Sequence, residues 1–219
     1  VLLGLKNLSN VDLYVTGSNS KMLSVDILTE FKDRGEEIRI NPLTFDEFMS
    51  AYQGDIRMAW TEFMMYGGMP FVLNKTGHAE KASYLHGLFE RTYITDVIER
   101  NNLRGSKDVL EDLLDILASS VGSLTNTTKL ENTFKSERKV NISHNTISAY
   151  IDCFIDAFIL KKAARYDIKG RKYIGAQQKY FYSDMGLRNA RLNFRQQEES
   201  HIMENIIYNE LTARGFSVD

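Results

Sequence analysis

Residues 143–158 read SHNTISAYIDCFIDAF. The apolar residues of this stretch recur at spacings of three and four, which places them on one face of a helix. They are Ile147, Tyr150, Ile151, Phe154 and Ile155. Cys153 lies among them, and we expect it to pack in the core rather than act as a nucleophile. The pattern predicts a strongly amphipathic helix from Ser143 to Phe158.

Directly after this helix the hydrophobic pattern changes its period. Strands are predicted at Ile159–Tyr166, Lys172–Ile174 and Lys179–Tyr182, with turns at 167–171 and 175–177. Two shorter amphipathic helices, 107–121 and 127–134, precede the long one. Three helices followed by a β-hairpin are typical of a winged helix, in which the third helix enters the DNA major groove.

Polar and basic residues mark two parts of this predicted module. The first turn of the third helix carries His144, Asn145 and Thr146, whose side chains suit base-edge and phosphate contacts. The predicted wing carries Lys169, Arg171 and Lys172. The net charge is -2, so these local patches alone point to DNA. The alternative is a winged helix that docks on a protein and has a basic, solvated wing.

The segments before this module are predicted to begin as an α/β unit and continue as helices. Strands at Val11–Val15 and Glu37–Ile40 flank a helix at 20–31, as at the end of a parallel α/β sheet. Thr44 and Glu47 form a capping-box pattern that opens a helix to about residue 52. Further helices are predicted at Ile56–Tyr66 and 78–100. After the hairpin come a short turn or helix at 184–189 and a last helix at 197–214.

Composition narrows the function classes. Of 219 residues, 43% are hydrophobic, which suffices for a sizeable core. A single cysteine excludes an internal disulfide and suits the cytoplasm. No stretch has the length of a membrane span, so a membrane is not an expected partner. The four histidines lie far apart and show no metal-ligand spacing, so no metal site is predicted.

Several stretches resemble one family, the prokaryotic AAA+-like P-loop ATPases with an uncharacterised C-terminal domain. They are TGSNSK at 16–21, DRG at 33–35, PLTFDEF at 42–48, YGGMP at 66–70, YITDV at 93–97, NTISAYI at 145–151, KYFYSDMGLR at 179–188 and MENIIY at 203–208. The order and spacing of these stretches carry the resemblance, which covers nearly the whole chain.

The resemblance implies a mixed α/β, mainly helical fold with four parts. Residues 1–53 are the C-terminal remnant of a parallel α/β ATPase core, and 54–105 are a helical lid or linker. Residues 106–190 are the winged helix with its β-wing, and 191–219 begin an endonuclease-like module. In this family the phosphate-binding loop and the paired acidic motif come earlier, so the chain is expected to be a piece of a longer protein.

The resemblance also implies roles for four residues. Asn19 or Ser18 corresponds to sensor 1, which positions the attacking water; the alternative is that both cap a helix. Arg34 corresponds to an arginine finger, although the family's usual order places glycine before it; the alternative is a surface ion pair. Glu204 corresponds to the first carboxylate of an incomplete restriction-endonuclease-like site; the alternative is a cap or ion pair on its helix.

Two functions from different classes follow. The first is a fragment of an AAA+-type ATPase that cannot hydrolyse ATP alone and has a DNA-binding winged helix. ATP and magnesium then belong to the full-length protein, and no cofactor is expected for this fragment. The second is a non-catalytic regulatory module that binds DNA or protein. DNA, a protein partner and further copies of the chain, arranged as a homo-oligomer, are the expected partners.

Overall fold

A computed structural model describes residues 10–14, 16, 38–103, 107–164, 177–195 and 198–218. The α-helices are α1 Phe45–Ala51, α2 Ile56–Tyr66, α3 Gly77–Leu88, α4 Thr95–Arg100, α5 Lys107–Ser119, α6 Thr127–Thr133, α7 His144–Asp156, α8 Met185–Arg191 and α9 Glu199–Ala213. A 3₁₀ helix spans Pro70–Asn74, and π-helical segments span Phe89–Ile94 and Phe134–Arg138. The strands are β1 Leu160–Ala164 and β2 Gln178–Tyr182.

Side-chain caps set where several helices begin. Thr44 and Glu47 form the predicted capping box at α1, in which each side chain accepts the other residue's backbone N–H. Asp55 accepts the N–H groups of Arg57 and Met58 at the start of α2. Ser143 accepts the N–H of Thr146 at the start of α7. These bonds satisfy donors that have no partner inside their own helix.

The main core lies between α5, α7 and the hairpin. Its buried side chains include Leu110, Leu113, Leu114, Leu117, Leu130, Phe134, Ile147, Ile151, Phe154, Tyr180 and Tyr182. A second, smaller core packs α1 and α2 against α9, the last helix of the described residues. There Phe48 of α1 and Phe63 of α2 pack with Ile202 and Ile206 of α9. Helix α9 is therefore part of the folded body.

The strands β1 and β2 form an antiparallel pair in which Leu160 lies opposite Tyr182 and Ala164 opposite Gln178. Thr125, between α5 and α6, adds a bridge at the outer edge of β2. Its N–H donates to the Gln178 carbonyl at 2.9 Å and its carbonyl accepts from the Gln178 N–H at 2.7 Å. The segment between α5 and α6 is thus hydrogen-bonded to β2.

The structure confirms a mainly helical chain with a small antiparallel sheet and corrects two details of the predicted elements. Residues 11–14 and 38–40 form no strand, and they pair with neither strand of the described residues. Residues 77–100 are helical, but the π-helical segment interrupts the helix predicted at 78–100. None of the helices in the described ranges is long and apolar enough to cross a membrane.

The corner between α2 and the 3₁₀ helix depends on glycine. Gly67 has φ 71° and ψ −164°, a conformation that is essentially restricted to glycine. A Cβ at Gly67 would overlap the Asp184 carboxylate, and one at Gly68 would overlap the Leu43 carbonyl oxygen. A Cβ at Gly186 of α8 would overlap the Tyr66 carbonyl oxygen. Helix α8 therefore packs backbone to backbone against this corner.

We expect Gly67→Ala to destabilise the fold by at least about 3 kcal/mol, because overpacking adds to backbone strain. Gly77→Ala is the matched control. Gly77 also has a positive φ, 67°, but a Cβ there would meet no described atom within 4 Å. Its cost should be about 1 kcal/mol. Urea denaturation of both variants measures the difference, and equal costs would contradict the packing argument.

Candidate functional site

Asp184 is the buried acid at the centre of the structure, with 3% of its surface exposed. Its Oδ1 accepts the Leu187 N–H at 3.0 Å, which caps α8. Its Oδ2 accepts the Gly68 N–H at 2.7 Å. Burial raises the pKa of Asp184 to about 6, while backbone N–H donors at Gly68, Leu187 and Gly186 act in the opposite direction. One carboxyl group thus holds α8 against the corner that follows α2.

Arg188 and Asn189 continue this polar cluster one turn into α8. Arg188 is 1% exposed, and its Nε donates to the Ala118 carbonyl at the end of α5 at 2.9 Å. Its Nη1 donates to Asn189 Oδ1 at 3.0 Å. The Asn189 amide in turn donates to the carbonyls of Met64 and Met65, both at 2.9 Å. Helix α8 therefore binds the carboxyl ends of α5 and α2 at once.

Asn205 joins α9 to the hairpin. Its Oδ1 accepts the Tyr182 N–H and its Nδ2 donates to the Tyr182 carbonyl, both at 2.8 Å. The side-chain amide pairs with β2 as a neighbouring strand would. The Tyr182 hydroxyl donates to the Leu114 carbonyl on α5 at 2.7 Å. Tyr182 thereby links the hairpin, α5 and α9.

The first turn of α7 is the candidate nucleic-acid interface. His144, Asn145 and Thr146 lie together there, as expected for consecutive residues of a helix. His144 and Asn145 are exposed, whereas Thr146 is half-buried and its Oγ1 lies 2.9 Å from Ser143 Oγ. Ser148 is exposed one turn further on. The Asn145 and Ser148 side chains therefore offer hydrogen-bonding groups to solvent on one face of the helix.

Both acidic and basic side chains lie on α6 and on the π-helical segment that follows it, before α7 in the chain. Glu131 of α6 accepts the His144 backbone N–H at 3.2 Å and lies 3.3 Å from His144 Nδ1. Lys135 and Lys139 are exposed in and after the following π-helical segment. Arg138 lies between them and pairs with Asp112 of α5 at 3.2 Å. The Glu131 carboxylate thus already occupies the N-terminus of α7, and Arg138 is paired with an acid of α5.

The remaining predicted site residues fall into two groups. Asn19, Ser18, Arg34, Lys169, Arg171 and Lys172 lie outside the described residues. Glu204 lies in the second turn of α9, where it forms an ion pair with Lys179 of β2 beside Gly122. Among the described residues, no group of three or more histidine, cysteine or carboxylate side chains could hold a metal ion.

Sequence reasoning missed the buried polar cluster of Asp184, Arg188, Asn189 and Asn205. A signal was present at residues 183–189, SDMGLRN, because aspartate is a preferred residue directly before a helix. Polar residues in such a stretch suggest a surface turn, and only tertiary packing makes them core.

Comparisons with known proteins place the chain among proteins of unknown activity. A family model described as a domain of unknown function, DUF8612, matches residues 57–198. An uncharacterised protein of Haemophilus influenzae is 36% identical over 215 residues, which cover 96% of this chain and 53% of that protein. An uncharacterised protein of Methanocaldococcus jannaschii is 27% identical over 222 residues, covering 96% and 49% respectively. The chain thus spans about half the length of these curated relatives. No solved structure matches it significantly.

The buried Asp184 predicts how stability depends on pH. Its pKa of about 6 in the folded state lies above the ordinary value of 3.8, so between these values the folded chain binds more protons than the unfolded chain. The Asp184 contribution to the free energy of unfolding is therefore fully present below about pH 4 and is lost as the pH rises through about 6. The loss is at most about 3 kcal/mol, from about 1.4 kcal/mol per pKa unit.

Urea denaturation between about pH 4 and 7 should isolate this contribution by comparison with Asp184→Asn, which does not ionise. The variant should be less stable by about 1–3 kcal/mol, because an amide N–H₂ would face a backbone donor. The stability gap between wild type and variant should narrow as the pH rises to about 6. A gap that stays constant or widens would show that Asp184 does not titrate in this window.

Proposed function

Because the chain belongs to the DUF8612 family, whose domain has no stated function, we propose a role from its geometry. Residues 106–190 contain a winged helix that binds duplex DNA, and this module couples DNA recognition to an AAA+-type ATPase in the cytoplasm. The nucleotide-binding core belongs to the remainder of a longer protein. The relatives are about twice as long as this chain, which leaves room for such a core.

The order and packing of α5, α6, α7, β1 and β2 support the winged-helix part of the proposal. Helix α6 packs against α7, and α7 packs against β1. Thr125, between α5 and α6, forms a β-bridge with Gln178 of β2 and so takes the position of a third strand beside the β1–β2 pair. In a winged helix that arrangement presents the first turn of the third helix outward, toward the DNA major groove.

The exposed first turn of α7 is the single observation that carries the proposal. The inner face of helix α7 packs in the core through Ile147, Ile151 and Phe154, each no more than 2% exposed. On the outer face of α7, the side chains of Asn145 and Ser148 are exposed to solvent. An asparagine amide can form two hydrogen bonds with adenine, and serine can bond to several base edges. A rigid helix with an unused polar face suits base readout.

The ATPase part of the proposal rests on the resemblance of the segments outside this module to prokaryotic AAA+-like P-loop ATPases. Helix α8 and the corner at Gly67 and Gly68 connect the α2 region to α5 through buried hydrogen bonds. A change in the position of α2 would therefore move α8 and α5 with it. The proposal uses this rigid link to transmit the state of the nucleotide-binding core to the DNA-binding module.

Duplex binding and its salt dependence test the DNA-binding role. If about four phosphates are contacted, affinity should fall roughly a hundredfold between about 50 and 200 mM salt. Mobility-shift titrations at several salt concentrations give the slope. No binding at low salt, or binding that ignores salt, would favour the alternative of a protein-docking module.

Reversing two wing charges, Lys169→Glu with Arg171→Glu, should weaken duplex binding at least about tenfold and reduce the salt slope by about 2. The control is Arg57→Glu with Arg195→Glu, which changes the net charge equally at two exposed positions outside the module. The control should retain most of the affinity. Equal losses in both pairs would mean that net charge, and not the wing, governs binding.

Arg34 tests the ATPase role in a longer protein that contains this chain. Arg34→Ala should lower the ATP turnover number by about a thousandfold, because an arginine finger stabilises transition-state charge, and should leave ATP binding nearly unchanged. Arg57→Ala, at an exposed position of α2, is the control. Turnover that is the same in both variants would assign Arg34 to a surface ion pair.

A further inference from the structure

The three consecutive polar residues at the start of α7 differ in whether their side chains already have partners. His144 Nδ1 lies 3.3 Å from a carboxylate oxygen of Glu131 on α6. Thr146 Oγ1 lies 2.9 Å from the hydroxyl oxygen of Ser143. The Asn145 side chain is exposed and forms no hydrogen bond with another described residue. Among these three residues, Asn145 therefore has the side chain that is free to bind a ligand.

The backbone N–H groups of the same turn are also engaged. The Glu131 carboxylate accepts the His144 N–H at 3.2 Å, and Ser143 Oγ accepts the Thr146 N–H at 3.2 Å. The carboxylate would also repel a phosphate group at this end of the helix. Recognition at this turn is therefore expected to use the uncharged Asn145 amide, and not an anion site at the helix N-terminus.

Small side chains lie beside Asn145 on the outer face of α7. Ser148 and Ala149 follow it by three and four residues, so they are its neighbours on the helix surface, and both are exposed. Neither side chain is long enough to hold the helix away from a flat ligand. On the opposite face Ile147 and Ile151 are buried in the core, which fixes the helix relative to the rest of the module.

The chemistry of the amide selects one base edge in the major groove. Asn145 Nδ2 is a donor and Oδ1 is an acceptor, and both lie in one plane. Adenine presents an acceptor, N7, beside a donor, the N6 amino group, so the amide can form two hydrogen bonds with it. Guanine presents two acceptors, cytosine presents one donor, and thymine presents one acceptor and a methyl group. Only adenine satisfies both groups of the amide.

We propose that Asn145 recognises one adenine in the major groove, so that the module binds most tightly to sites in which this adenine is unmethylated. The inference rests on the proposed DNA-binding function. In an A·T pair, one N6 hydrogen bonds to thymine and the other faces the major groove. A methyl group on N6 takes the place of the second hydrogen. It removes the donor to Asn145 Oδ1 and occupies the position where that oxygen would bind.

Selection from a random-sequence duplex library tests which base is recognised. Wild type should enrich adenine at one position, and replacement of that adenine should lower the affinity at least about fivefold. Asn145→Ala should lose the preference at this position and keep the preferences elsewhere in the site. Asn141→Ala is the matched control, because Asn141 is also an exposed asparagine but precedes the helix. The control should still select adenine.

Modified duplexes of the selected site test the contact itself. N6-methyladenine removes the donor and 7-deazaadenine removes the acceptor, and each should weaken wild-type binding about fivefold or more. With Asn145→Ala, neither modification should change the affinity by more than about twofold. Equal losses in the two proteins, or duplex binding without any adenine preference, would overturn this inference and leave the DNA-binding function in place. No duplex binding even at low salt would overturn both.

Discussion

The structure depends on a single buried carboxyl group, that of Asp184, which accepts backbone N–H groups from two separate elements. It caps α8 through Leu187 and holds the corner after α2 through Gly68. Removing either partner would leave a buried polar group unpaired, which is costly in a medium of low dielectric constant. Gly67 and Gly186 make the contact possible, because a side chain at either position would separate the two backbones. The short helix α8 therefore holds α2, the corner after it and α5 together.

Local features of this fold were predictable from the sequence because they depend on neighbours within about four residues. The capping box at Thr44 and the helix Ile56–Tyr66 are examples that the structure confirms. The π-helical segment Phe89–Ile94 was not predictable in this way. The extra residue lengthens a single spacing of the buried stripe, from Phe89 to Ile94, to five residues, and the sequence on either side keeps the helical period.

The candidate sites also differ in whether neighbours in sequence or tertiary packing brings their residues together. His144, Asn145 and Thr146 were predicted to lie together because they are consecutive, and the structure places them in one turn. The Asp184 site combines the start of α8 with the corner after α2, which only tertiary packing brings together. The same holds for Arg188, whose partner carbonyl at Ala118 is 70 residues away. A buried arginine cannot be distinguished from a surface arginine without knowledge of what covers it.

Glu131 constrains how α7 can meet DNA under the proposed function. A helix N-terminus attracts phosphate through its unpaired N–H groups and its dipole, but here the Glu131 carboxylate already accepts the His144 N–H. A phosphate at that point would be repelled by the same carboxylate. Phosphate contacts would then belong to Lys135, Lys139 and the wing, while Asn145 and Ser148 face the bases. Asp152 lies one turn beyond Ser148 on the same exposed face and would repel the DNA backbone. Readout would therefore be confined to the first two turns of α7, and sequence specificity would depend on very few side chains.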